Sequence, residues 1–170
     1  MTEPASPQDD AAGWWWAGVL LGLTLLYSLL APPGYAQREA GSLTVGAQVG
    51  RPSGLTLKLY RGDGIAYEAL LTVDGDDFAR LSLFRLWERP LPDSLMHVYY
   101  GAGALLGGRD LDTGTIPEVG LGTRLGLNFY AHRFEVFLHV TPSLRFNRTL
   151  TPVIGGGVGL RYDLFRPDAR

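Results

Sequence analysis

Residues 117–145 alternate between apolar and polar side chains with hardly a lapse. Val119, Leu121, Leu125, Leu127 and Phe129 fall on one parity, against Glu118, Gly120, Gly122, Arg124, Gly126 and Asn128 on the other. After a break at residues 130–132 the pattern resumes. Phe134, Val136, Leu138, Val140, Pro142 and Leu144 now oppose Arg133, Glu135, His139, Thr141, Ser143 and Arg145. Successive side chains of a pleated strand point to opposite faces, so a period of two specifies β-strand. Two such runs joined by a short turn read as a hairpin.

The same period runs through the rest of the chain from residue 42 onward. It predicts strands over 42–50, 55–60, 65–74, 78–88, 96–104 and 154–165 as well, eight in all. Gly, Pro and Asp punctuate them. Residues 89–94, with two prolines, read as a connection, and residues 107–116 as the longest loop. The strand over 78–88 is the least regular, with Arg80, Ser82 and Arg85 on mixed faces. An even number of strands, each near the ~9–11 residues of a tilted membrane strand, suits a closed up-and-down barrel. The expected fold is therefore all-β, an eight-stranded antiparallel transmembrane barrel.

Alternation alone does not say which face is inside. A solvated outer face favours Lys, Glu, Gln and Asn. Here the polar face carries Gly, Arg, Glu, His, Thr and Ser, with glycine at 46, 50, 101, 103, 120, 122, 126, 155, 157 and 159. The interior of an eight-stranded barrel is narrow and filled by side chains, and glycine interspersed with long arginines fits that space. The apolar face then looks outward, with Trp87, Phe129, Phe134, Phe146 and Tyr162 near strand ends, as at a membrane interface. The interior charges must pair, because an isolated buried charge is very costly. The expected luminal network is Lys58, Glu68, Glu118, Arg124, Arg133, Glu135, His139, Arg145, Arg161 and Asp163. A soluble periplasmic barrel binding an apolar ligand is the alternative, and it requires the apolar face inside.

Residues 14–31 are apolar, uncharged and followed by Pro32, Pro33 and Gly34. Gly34 and Ala36 have the small-residue spacing of a signal-peptidase site. Residues 1–36 therefore read as an export signal cut after Ala36, or as an uncleaved anchor, since 18 apolar residues can span a bilayer. Residues 37–165 form the barrel and 166–170 a polar tail. The formal charge is −2, and the acidic Glu3, Asp9 and Asp10 leave the remainder near neutrality, so nothing favours a nucleic-acid partner. Cysteine is absent, which excludes disulfides and thiol chemistry.

Several stretches resemble a family of small bacterial outer-membrane β-barrel proteins. They are Gly50-Arg-Pro-Ser-Gly-Leu-Thr-Leu-Lys58, Tyr99-Tyr-Gly-Ala-Gly103, Gly122-Thr-Arg-Leu-Gly-Leu127, Phe134-Glu-Val-Phe137 through Pro142, and Gly157-Val-Gly-Leu-Arg-Tyr162. The architecture is similar to OmpX and the membrane domain of OmpA. The resemblance implies eight antiparallel strands, export across the inner membrane, a bacterial outer-membrane location and no catalytic residues. It departs from the family at Tyr60, where Trp is expected, at His139, where Glu is expected, and at Phe165, one step out of the alternation. The implied partners are outer-membrane lipid and the secretion and barrel-assembly machinery, with the protein itself a monomer.

Other chemistry is weaker. His139 and Thr141 lie two apart on one face and resemble the His-x-Ser pair of outer-membrane lipid A deacylases, but they share the luminal face with Glu135 and Arg145. Asp110 and Asp112 match only the start of a calcium loop, without the distal ligands. The three histidines have no metal-ligand spacing, and residues 155–159 lack the following helix of a phosphate loop. Arg61-Gly-Asp63 falls in a turn and carries no inference. No metal, cofactor or catalytic residue is expected. The function expected is structural or surface-interacting, with a lipid-modifying enzyme as alternative.

Overall fold

The alternating runs form eight antiparallel strands in a computed structural model, which describes residues 39–74, 78–92, 94–111, 114–146 and 149–165. They are β1 (Leu43–Arg51), β2 (Gly54–Gly62), β3 (Ile65–Asp74), β4 (Phe78–Pro90), β5 (Met96–Leu111), β6 (Gly114–Ala131), β7 (Phe134–Phe146) and β8 (Leu150–Phe165). Each pairs with the next, and β8 pairs with β1 to close the barrel. Closure gives every strand two neighbours and removes the free edges. No helix occurs among the described residues. The apolar segment 14–31, the expected cleavage after Ala36 and the tail 166–170 lie outside them.

Tight turns join the strands at the end that holds residue 43. Gly62 and Gly64 have φ of 86° and 71°, left-handed values that glycine adopts freely, and they flank Asp63 between β2 and β3. His132 takes the same kind of conformation, φ 57°, between β6 and β7. At the opposite end the segment read as the longest loop is mostly strand. β5 and β6 stay paired through Gly107↔Glu118, Gly108↔Pro117 and Arg109↔Ile116 to Leu111↔Gly114. β4 stops pairing with β5 at Arg109, and β7 starts pairing with β6 at Val119. The tip of the β5–β6 hairpin therefore runs on as a two-stranded ribbon.

A second departure concerns Phe165. Leu43 pairs with Phe165 but Thr44 pairs with Asp163, so Leu164 is an extra residue in the β8 ladder. Such a bulge shifts the parity by one. It leaves both Leu164 and Phe165 exposed, and the terminal aromatic faces outward despite being out of step in the sequence.

Polar and apolar faces are inverted relative to a soluble barrel. Inside are Thr44, Gln48, Thr56, Lys58, Glu68, Arg80, Ser82, Arg124, Asn128, Glu135, His139, Arg161 and Asp163, all buried. Large apolar side chains are exposed on all eight strands, including Val49, Leu55, Leu71, Leu83, Leu106, Leu121, Leu138 and Ile154. An apolar core exists as well, but it lies within the lumen: Tyr60, Ala66, Phe84, Leu86, Tyr99 and Tyr130. Phe84 and Leu86 on inward positions explain why β4 alternates poorly in the sequence.

The inward glycines serve these rings. Phe84 pairs across the ladder with Gly103, Tyr99 with Gly126 and Phe137 with Gly159. A Cβ at Gly126 would meet Tyr99 Cζ at 2.5 Å. Each ring therefore lies flat over the glycine of the next strand. Gly126→Val should lower the urea unfolding free energy by about 1–3 kcal/mol through overpacking. Ala47→Val, on the outer face, should change it by less than about 0.5 kcal/mol. Urea titration of refolded protein, followed by tryptophan fluorescence, checks both.

Candidate functional site

Three cations and three carboxylates meet in the lumen near the end with tight turns. Lys58, Arg124 and Arg161 come from β2, β6 and β8, and Glu68, Glu88 and Glu135 from β3, β4 and β7. Inward parity brings them together, because in a narrow barrel every inward side chain reaches toward the same axis. Lys58, Arg124, Arg161, Glu68 and Glu135 are at most 2% exposed.

Arg161 links the two walls. Its Nη1 donates to Glu135 Oε1 at 2.7 Å, its Nη2 lies 2.9 Å from Glu68 Oε1, and its Nε donates to Thr56 Oγ1 at 3.1 Å. Arg124 pairs with Glu68 as well, and its Nε donates to Thr141 Oγ1 at 3.3 Å. Lys58 Nζ donates to Glu135 Oε1 at 2.8 Å and pairs with Glu88. Hydroxyls complete the set. Tyr60 donates to Glu135 Oε2 and Tyr130 to Glu88 Oε2, both at 2.5 Å, while Asn128 Nδ2 donates to Glu88 Oε1 at 2.9 Å. Charge is balanced within the cluster, and multiple hydrogen bonds offset the desolvation of each ion.

Each cation also rests on a ring. The Arg161 guanidinium lies 3.6 Å from the Phe137 centroid, Arg124 lies 4.2 Å from that of Phe84, and Lys58 Nζ lies 4.7 Å from that of Tyr60 and 5.5 Å from that of Tyr99. Phe137, Phe84 and Tyr99 are the rings seated on Gly159, Gly103 and Gly126. The lumen is thus filled by three stacks of glycine, aromatic ring and cation, with the cations joined through carboxylates. Cation–π attraction strengthens when the pair is desolvated.

A second charge group lies toward the other end. Arg80 Nε donates to Glu118 Oε1 at 2.9 Å, and Arg145 Nε lies 3.9 Å from the same oxygen. These residues line a cavity of about 660 Å³ together with Arg51, Thr72 and Gly155. Between the two groups the ladders place a row with Leu70 and Leu105 pointing inward beside Ser82. The void there is only about 10 Å³, at the lower limit of what a single water needs.

Of the expected network, Lys58, Glu68, Arg124, Glu135 and Arg161 come together as one cluster, and Glu118 and Arg145 as another. Asp163 is buried on β8, 3% exposed. His139 is buried inside at 2% exposure, stacked on Phe137 with centroids 5.9 Å apart. Neither of its ring nitrogens has a hydrogen-bond partner among the described residues. It therefore packs in the lumen without joining the hydrogen-bonded network, and it forms no dyad with Thr141. Arg133 is a correction. It falls in the β6–β7 turn, fully exposed, where Nη1 donates to the Tyr162 hydroxyl at 3.3 Å outside the lumen. The alternation had extended one residue too far, into a turn that needs no parity. Glu88 and Arg80 were missed because β4 reads as irregular. Tyr60, Asn128 and Tyr130 were missed because neutral hydroxyls and amides give no charge signal.

Among solved structures, the chain is similar to the N-terminal β-barrel domain of Pseudomonas aeruginosa OprF, with a TM-score of 0.55 and 13% identity, covering 72% of this chain and 96% of that one. It is also similar to Neisserial surface protein A (NspA), with a TM-score of 0.39 and 12% identity, covering 72% and 94%. No protein-family model and no curated protein sequence matches the chain. At this identity the likeness to the OprF domain is one of fold, and that fold is the eight-stranded architecture the sequence resemblance implied.

Removing one member of the main cluster strands its partners. Glu135→Ala should lower the unfolding free energy by about 3–5 kcal/mol, because Lys58 and Arg161 remain buried with too few counter-charges. Arg133→Ala should leave the transition unmoved. Urea unfolding of both variants in the same detergent checks the contrast.

Proposed function

We propose that this chain is a small bacterial outer-membrane β-barrel with a plugged polar lumen, serving a structural or surface-interacting role without catalysis. The observation that carries the reading is the inverted surface. A soluble monomer rarely exposes an apolar patch beyond a few hundred Å². Here exposed apolar side chains run round the outside on all eight strands, while the charges are enclosed. Only a solvent that is itself apolar makes that arrangement favourable, and a closed barrel satisfies every backbone group within it.

Two further features support it. The strands are 9 to 18 residues long, enough to cross a bilayer core when tilted. Outward aromatics gather at the end with tight turns: Trp87 stacks on Tyr100 at 5.7 Å, and Phe134 packs edge-on against Tyr162 at 5.3 Å. Aromatic belts occupy membrane interfaces. By analogy with barrels whose termini are periplasmic, that end faces the periplasm and the β5–β6 ribbon projects outward from the cell. The implied partners are outer-membrane lipid and the export and barrel-assembly machinery, and the chain acts as a monomer. The inverted faces disfavour a soluble barrel with an apolar ligand inside, and the burial of His139 disfavours lipid chemistry there.

Expressed with its own leader, the protein should fractionate with outer membranes. It should also migrate faster on an unheated gel than after boiling. Recovery in the soluble periplasm with no heat-dependent shift would overturn the reading. His139→Ala should leave the lipid A acylation pattern unchanged by mass spectrometry; an altered pattern would favour the enzyme instead.

A further inference from the structure

Arg85 stands apart from every other charge in the fold. Along the outward face of the strands, the other charged side chains whose exposure is described, Arg51, Arg61 and Arg89, lie at strand ends. Arg85 lies within β4, exposed, between Leu83 and Trp87. Its ladder neighbours are Tyr67 on β3 and Ala102 on β5. Its guanidinium sits 5.1 Å from the Trp87 ring centroid, and among the described residues it has no acidic partner. It is one outward position inside the Trp87–Tyr100 pair, roughly 5 Å deeper along the barrel normal at typical strand rise and tilt. A cation on the lipid face is costly at the midplane and far less so near the interface. Arg85 lies at the depth where a long side chain reaches the headgroup layer.

The surface beside it is cut away. Ala69 sits in a row between Leu57 and Leu83, a small side chain flanked by two large ones. The result is an open groove of about 430 Å³ lined by Leu57, Leu59, Tyr67, Ala69, Leu83 and Arg85, and bordered by Glu68 and Phe84, which are both buried at 2% exposure. Its walls are mostly apolar, and Arg85 is its one exposed charged side chain, at the edge nearer the aromatic belt.

We infer that this groove is a binding site for an anionic phospholipid, with one acyl chain seated over Ala69 and the headgroup phosphate held by Arg85. The inference rests on the membrane reading above. The charge complementarity selects the occupant: a purely apolar partner leaves the cation unsatisfied, and a soluble anion leaves the groove unfilled. Guanidinium presents a planar fork of donors that matches a phosphate, and Trp87 holds it in place from behind.

The test is native mass spectrometry of the full-length protein released from micelles doped equally with phosphatidylglycerol and phosphatidylcholine of the same acyl chains. The wild type should retain phosphatidylglycerol about fivefold more often, the selectivity expected of one arginine at a headgroup. Arg85→Gln should bring the two lipids to parity. Arg133→Gln, which removes an equal charge from a distant turn, should keep the preference. Ala69→Leu should reduce retention of both lipids by filling the groove. A measurement without variants is the salt response: at 1 M salt, where the screening length falls to about 3 Å, the wild-type preference should shrink. Equal retention by the wild type, or a preference that survives Arg85→Gln, overturns the site. A wild type that gives no heat-modifiable band in vesicles overturns the membrane reading, and this site with it. A normal band with no lipid preference overturns the site alone.

Discussion

Arg161 carries the constraint on which the rest of the lumen depends. It reaches Glu135 beside it on β7 and Glu68 across the barrel on β3. Those carboxylates in turn hold Lys58 from β2 and Arg124 from β6. With Glu88 on β4, six of the eight strands are joined by charge. The interior of an eight-stranded barrel is just wide enough for side chains to fill. Filling it with cations requires carboxylates in equal number. Filling it with rings requires glycines opposite them. Both requirements are met in the same stacks, so the glycines, the aromatics and the ions form one packing solution.

Such a network is a poor source of net stability. Well-packed apolar residues often replace a buried ion pair at no cost. Its physical effect here is on register. A strand that slips by one residue turns its inward set outward. In this barrel that slip would place Glu135 or Arg161 on the outer face and Leu138 or Leu160 in the lumen, and would separate each cation from its carboxylate. The penalty falls on every misregistered arrangement, whereas an all-apolar interior would tolerate several. The polar lumen thereby selects one pairing among many that the backbone permits.

Much of this is legible in the alternation, because parity is a local property. The eight strands, the inward glycines and most of the charged set follow from it. What parity cannot supply is stagger. Whether Arg161 meets Glu68 or Glu118 depends on the shear of the closed barrel, which is set by all eight ladders together. The limits of parity show at three places. At Arg133 the pattern outlasts the strand. At Phe165 a bulge restores an outward direction that the count denies. Along residues 107–116, glycines and acidic residues look like a loop, yet the β5–β6 ladder continues, because two strands with matched partners need no third neighbour to stay paired. Glu88 was hidden for a different reason: its strand puts Phe84 and Leu86 inside, so polarity and direction are uncoupled there.

Phe84 and Leu86 also show that the inside is layered. Along the ladders, Leu70, Ser82 and Leu105 lie one inward row beyond Glu68 and Phe84, and Arg80 and Glu118 one row further. An apolar layer between two ionic layers keeps the lower ions from water, which strengthens their mutual attraction. It also isolates the 660 Å³ mouth from the packed lumen. The barrel places its paired ions deep inside and, within β4 away from the strand ends, exposes the cation Arg85 beside an apolar groove. Pairing of charges, carried to the outer face, asks for an anion there too, and on the membrane reading proposed above the available anions are lipid headgroups.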